Sequence, residues 1–315
     1  MMVLWLAACL GTYTSTPSSP TTEAGPYRLA LPSGLEPVEL GSTKRESMFV
    51  ARFRRPEPLP DQQVIVSRPT RVPDIWPDGP LPDSATSLRS SLMPIRYEET
   101  SWLGGKASIG AMNAPDGRKM IMWAAVRDGW LHELQCSANT EEDSDACLKV
   151  AASFEVVSPA TPSPPVPSST HPEKVGPVTV PMPDGWDRVE IDPSSPDRLL
   201  QAAAPVPSTP HGERSMGHLA VELIPSIHKL GHWVDALVKS YNQTGMQLLR
   251  QEQFDGPHGP AFRCEYSDGM ATTVSIDSLT PQGILHVECS DNVTRRNKLD
   301  VLCRQVHEGI VFEGP

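Results

Sequence analysis

The chain has 315 residues, with 34 prolines, 22 glycines, 38% apolar, 21% charged and 6% aromatic residues, and a formal net charge of −11 at pH 7. Proline at about twice its ordinary ~5% share, beside seven tryptophans and eleven methionines, excludes collagen and uniform disorder and points to about two folded domains joined by stiff spacers. The acidic balance excludes non-specific nucleic-acid binding, because the densest basic groups, Arg52–Phe53–Arg54–Arg55 and Arg295–Arg296–Asn297–Lys298, are short.

Residues 1–9 form an apolar run ending in Leu6-Ala7-Ala8-Cys9, after which the chain turns to Thr, Ser and Pro. The run resembles the lipobox of bacterial lipoproteins. That resemblance implies an acylated Cys9, a lipid membrane as one partner, and domains in the periplasm or at the cell surface. No Lys or Arg precedes the run, so a start codon upstream of Met1 is expected. The competing reading is an apolar N-terminus on a soluble protein. No later stretch approaches the ~18 apolar residues of a spanning helix, so lipid would be the anchor.

Residues 10–26 read as a Ser/Thr/Pro tether, and a second Pro-rich segment, 158–175, reads as a linker that divides the chain almost in half. The halves, 27–157 and 176–315, repeat one order of features. Each opens on a short strand running into a Pro-x-Gly turn, at Pro32-Ser33-Gly34 and at Pro183-Asp184-Gly185-Trp186. Each closes on a strand ending in cysteine, a polar segment, and an amphipathic helix bearing a second cysteine: Cys136 then Cys147, and Cys289 then Cys303. Leu230, Trp233, Val234, Leu237, Val238 and Tyr241 keep helical spacing, and Gly269 to Leu279 alternates as a strand. The first half departs from the second at 56–82, where eight prolines interrupt a short Val64-Ile65-Val66 strand and predict a long irregular excursion; its helix equivalent, Ser84 to Arg96, is weaker and broken by Pro94.

The order of N-terminal strand with a Pro-Gly-Trp turn, middle helix, antiparallel strands and C-terminal helix resembles the PsbP-like α/β/α sandwich, whose family includes DcrB-like bacterial lipoproteins. The resemblance implies an α+β fold of two tandem domains, each a mostly antiparallel sheet covered by helices. It also implies a non-enzymatic binding or assembly role.

The repeat pairs Cys136 with Cys147 and Cys289 with Cys303 as disulfides, which agrees with an oxidising compartment, and leaves Cys264 over; the alternative pairs Cys264 with Cys289. A metal site is disfavoured because neither pair has CxxC spacing. His228 and His232 lie four apart without a third ligand, and His132 and His286 take equivalent places before a cysteine. No Gly-x-Ser-x-Gly, dinucleotide or Walker motif is present, so no catalytic residue, metal or cofactor is expected. The run Glu141–Glu142–Asp143–Ser144–Asp145 reads as a solvated loop, and Asn242 and Asn292 head formal glycosylation sequons. Trp76 and Trp102, in turn-rich contexts, are the candidate partner-binding residues, with end-plugging of their own domain as the bland alternative.

Two functions are expected from these features. The first is a non-catalytic cell-envelope lipoprotein that binds or assembles a protein partner. The second is a periplasmic immunity or inhibitor-type protein that sequesters a toxin or hydrolase. Residues 26–157 carry 15 basic and 18 acidic side chains, and residues 173–315 carry 12 and 19, so the second half, at −7, is the better surface for a basic partner.

Overall fold

A computed structural model describes residues 21–40, 48–56, 62–82, 96–113, 119–205, 211–214, 216–225 and 229–313. The architecture is mixed, with mostly antiparallel sheets and few helices. In the first half the strands are β1 (Thr21–Ala24), β2 (Tyr27–Ala30), β3 (Glu36–Pro37), β4 (Phe49–Arg54), β5 (Gln63–Ser67), β6 (Thr70–Arg71), β7 (Arg96–Trp102), β8 (Gly105–Asn113), β9 (Lys119–Arg127) and β10 (Trp130–Ala138). Helix α1 (Glu141–Ala152) and β11 (Glu155–Val156) follow. The second half runs β12 (Thr170–Val175), β13 (Val178–Pro183), β14 (Asp187–Arg188), β15 (Arg198–Ala203), β16 (His218–Ile224), α2 (Leu230–Gln243), β17 (Gln247–Gly256), β18 (Gly259–Ser267), β19 (Ala271–Thr280), β20 (Gly283–Asn292), α3 (Arg296–Gly309) and β21 (Val311–Phe312).

Each half holds a small and a large sheet in matching order. The small sheets are β1-β2-β11 and β12-β13-β21; the large ones are β3-β4-β5-β10-β9-β8-β7 and β14-β15-β16-β20-β19-β18-β17, with β6 added beside β10. The Pro-x-Gly turns match as well: Leu35 N–H donates to Pro32 O at 3.4 Å and Trp186 N–H to Pro183 O at 3.2 Å. Gly34 and Gly185 supply the left-handed φ of 84° and 75° that these turns need.

The helix after each cysteine-bearing strand fills the space between the two sheets. Leu134, Cys136, Cys147, Val150 and Phe154 lie in the first core, and Leu285, Val287, Cys289, Leu302, Cys303 and Val306 in the second. Cys136 and Cys147 are joined as a disulfide. Cys289 and Cys303 depart from expectation and stand as separate buried thiols, because Cys303 Sγ is turned toward the carbonyls of Val274 at 3.4 Å and Val287 at 3.9 Å.

Several other expectations need correction. Thr21–Ala24, assigned to the tether, pairs along β2. The short Val64-Ile65-Val66 strand is present as β5, but it is a central strand and not part of an irregular excursion, lying between β4 and β10 with Val64 and Val66 fully buried. The acidic run at Glu141 starts α1 instead of forming a loop: Thr140 caps the helix by accepting from Asp143 N–H at 3.1 Å, and carboxylates in a first turn meet the positive end of the helix dipole. Thr170–Val175, assigned to the linker, forms β12 along β13. Cys9, His228 and the helix expected at Ser84 to Arg96 lie outside the described residues, save Arg96, which begins β7.

The rest of the linker is laid onto the second half. Thr161 forms a bridge with Gly212, and Val166 is buried in the second core. Glu213 then ties three segments together: its carboxylate accepts from Ser163 N–H at 2.8 Å and Arg71 N–H at 3.3 Å and pairs with Arg295 at 3.0 Å, while its side chain is 2% exposed. Asn292 Nδ2 donates to Arg71 O at 2.8 Å beside it.

Candidate functional site

A dense group of chemically capable side chains lies on the face of the second large sheet that α2 covers. Strand alternation sets which residues arrive there. On β20, His286, Glu288 and Ser290 point toward α2, while Leu285, Val287 and Cys289 point to the α3 core. Register then places Asp277 opposite His286 and Ser275 opposite Glu288 on β19, with Glu222 and Ala220 opposite the same two residues on β16.

His286 Nδ1 lies 2.7 Å from Asp277 Oδ1, which also accepts from Trp233 Nε1 of α2 at 2.7 Å; Ser275 Oγ donates to Asp277 Oδ2 at 3.1 Å. His286 Nε2 faces Glu288 Oε2 at 3.8 Å, Tyr241 OH of α2 donates to that carboxylate, and His218 Nδ1 sits 3.9 Å from its other oxygen. Tyr241 stacks on Tyr266 with ring centroids 4.2 Å apart. Glu222, beside this group, is held by Arg198 at 2.6 Å.

Burial opposes charge on His286, but Asp277 and Glu288 outweigh it and hold the imidazolium well above its ordinary value. Burial would likewise raise Glu288, yet His286, with Tyr241 and His218, brings its carboxyl down to about 2. Burial and then Glu288 push the Tyr241 phenol far above its usual range. The cluster is therefore an imidazolium clasped between two carboxylates, each also bonded to α2. Most of its polar atoms are engaged with one another, while the Glu288 side chain keeps 24% exposure. Among the described residues no group of three His, Cys, Asp or Glu side chains is placed to hold a metal ion.

His132 and His286 are not equivalent. His132 lies four residues before Cys136, on the same face, and shares a 3.1 Å hydrogen bond with Tyr27 OH in the first core. His286 lies three before Cys289, on the opposite face, since one residue of offset exchanges the faces of a strand.

The two candidate tryptophans are engaged within the chain. Trp102 is 5% exposed; its indole N–H donates to Ala151 O at 2.9 Å and its ring lies 5.1 Å from Phe154. It forms part of an open cleft of about 470 Å³ between the β7–β8 turn and the end of α1. Arg127 holds that turn by donating to the carbonyls of Trp102, Leu103 and Lys106 at 2.9, 3.3 and 2.8 Å, with Leu103 at φ 52°. Trp76 is partly buried and packs with Val72 and Leu81 against Met270 of the second half. Asn292, a formal sequon, is 1% exposed, and its side chain caps the turn at Thr294.

Sequence reading missed Asp277, Glu288 and Glu213. The usable signal was the polar alternation Thr273, Ser275, Asp277 and His286, Glu288, Ser290, opposite an amphipathic helix that needs a face to cover.

No protein-family profile and no curated protein matches the chain. Solved structures with partly similar chain courses include cyanobacterial PsbP (CyanoP) from Synechocystis sp. PCC 6803, at 15% identity and TM-score 0.36, over 46% of this chain and 93% of that one. The immunity protein TplEi of T6SS from Pseudomonas aeruginosa matches at 12% and TM-score 0.26, over 93% and 96%. MucB in complex with MucA(peri) matches at 13% and TM-score 0.25, over 92% and 88%. Likenesses this loose carry no functional argument.

Proposed function

We propose that the protein is a non-catalytic binding module of the bacterial cell envelope, anchored by lipid on Cys9 and directed at a basic protein partner. The observation that carries this reading is the Cys136–Cys147 bond inside the first core, since stable disulfides belong to oxidising compartments outside the cytoplasm. The self-satisfied His286 cluster favours a binding role over catalysis. No helix among the described residues is long and apolar enough to cross a membrane, which suits attachment through lipid. Metabolic labelling with a fatty acid is expected to mark the wild type; equal labelling of Cys9→Ser refutes the anchor.

The −7 charge of residues 173–315 favours a basic partner, because complementary fields speed encounter and fade with salt. The same acidity supports the immunity-type reading, in which the partner is a basic toxin or hydrolase. Capture of a basic effector that weakens with added salt supports it. Failure to capture one, together with no growth defect on deletion, counts against it.

A further inference from the structure

We infer that Cys289 and Cys303 are the site of a second disulfide, and that the sheet itself selects this bond over the two others that three thiols allow. Cys264 lies on β18 and faces α2, in a cluster with Val234 and Tyr266. Cys289 faces the other way, into the core that contains Cys303 of α3. The strand β19 also stands between β18 and β20. A bond from Cys264 to either partner would therefore have to pass through the hydrogen-bonded sheet.

No such barrier separates Cys289 from Cys303. Cys303 Sγ approaches Val274 O at 3.4 Å, and Val274 is the residue directly opposite Cys289 in the β19–β20 register. Its second neighbour, Val287 O at 3.9 Å, precedes Cys289 by two residues on β20. The pair also occupies the same two places as Cys136 and Cys147: the end of the strand that follows the matching hairpin, and the inward face of the helix after it. There the bond is closed with Cα atoms 5.8 Å apart, inside the range a disulfide accepts. Closing the second bond requires the Cys303 side chain to turn from the strand carbonyls toward Cys289.

The oxidant required is a disulfide, carried by a protein oxidoreductase or a small molecule. One cysteine, as thiolate, attacks it to give a mixed disulfide and releases the first thiol. The other then attacks the sulfur of that first cysteine, closing Cys289–Cys303 and releasing the second thiol. Two protons leave the cysteines, and two electrons pass to the oxidant. Both side chains are fully buried, and burial first, with Cys303 alongside, holds the Cys289 thiol well above its usual value. Neither sulfur can be reached by an external disulfide once α3 is docked, so closure belongs to folding.

The test uses the full chain, reduced and unfolded, then refolded in mixed reduced and oxidised glutathione. Free thiols are alkylated and the protein is digested without reduction for peptide mass spectrometry. The expected map links Cys136 to Cys147 and Cys289 to Cys303, leaves Cys264 alkylated, and is unchanged in Cys264→Ala. A linked peptide containing Cys264 overturns the inference, and so does alkylation of both Cys289 and Cys303 in a sample whose first pair is linked. Folded reduced protein in the same buffer should close the second bond at least about tenfold more slowly than the refolding chain. A comparable rate would overturn closure before docking.

Discussion

Replacing Glu213 with Ala removes one carboxylate that holds segments near residues 71, 163 and 295. Breaking a buried ion pair costs about 3–5 kcal/mol, and each amide left without an acceptor about 1–3 kcal/mol more. Two features offset that sum. The Arg295 side chain keeps 17% exposure, and it retains Asp291 at 3.5 Å. Burial raises the Asp291 carboxyl and Glu213 adds to the rise, so removing Glu213 also favours the remaining pair. The net loss expected is about 3–5 kcal/mol. Glu213→Gln, which keeps one accepting oxygen, should lose about half as much. Urea unfolding followed by far-UV circular dichroism measures both. Because the contacts of Glu213 bridge the two halves, Glu213→Ala should also split a single transition into two as the halves uncouple. A single transition within about 1 kcal/mol of wild type would refute the reasoning.

Asp277→Ala strips partners from His286, Trp233 and Ser275 at once, and should destabilise by about 3–5 kcal/mol while raising amide exchange selectively in residues 230–243; uniform exchange would argue against a clasp on α2. Burial lowers both His132 and His307 to about 4. Below their ordinary 6.5 the unfolded chain binds more protons, so stability should fall between pH 6.5 and 4 by about 3 kcal/mol per histidine, and His132→Asn should remove roughly half of that slope. His286 acts in the opposite sense: its folded value is raised, so its contribution is complete below pH 6.5 and lost as pH rises through that folded value, a loss that His286→Gln should abolish in alkaline titrations of stability. Gly283→Ala should cost at least about 2 kcal/mol in the same denaturation assay, because Gly283 sits at φ 147° and an added Cβ would run into the Ile224 carbonyl; wild-type stability would show that the turn relaxes.

Much of the organisation is legible from local pattern. The repeated Pro-x-Gly turns, the strand–cysteine–helix endings and the 3-and-4 spacing from Leu230 to Tyr241 each depend on neighbours a few residues away. The failures share a different origin. Proline density made the surroundings of the Val64–Val66 strand look irregular, yet the tertiary sheet takes Val64 and Val66 as central residues because their apolar side chains have a core to enter. The acid run at Glu141 looked solvated because charge was weighed without the Thr140 cap that makes it a helix start.

Sequence alone determined the α+β class, the internal repeat and the Cys136–Cys147 pair, since periodicity and spacing carry that information locally. Tertiary structure alone decided which face of each strand looks inward. That parity separated His132 from His286, gathered Asp277, Glu288 and Tyr241 around one imidazolium, and put Cys264 on the far side of a sheet from Cys289. It also brought Trp76, far away in sequence, onto Met270. The physical reason is that face and proximity depend on register between strands distant in sequence, and a shift of one residue reverses every side chain.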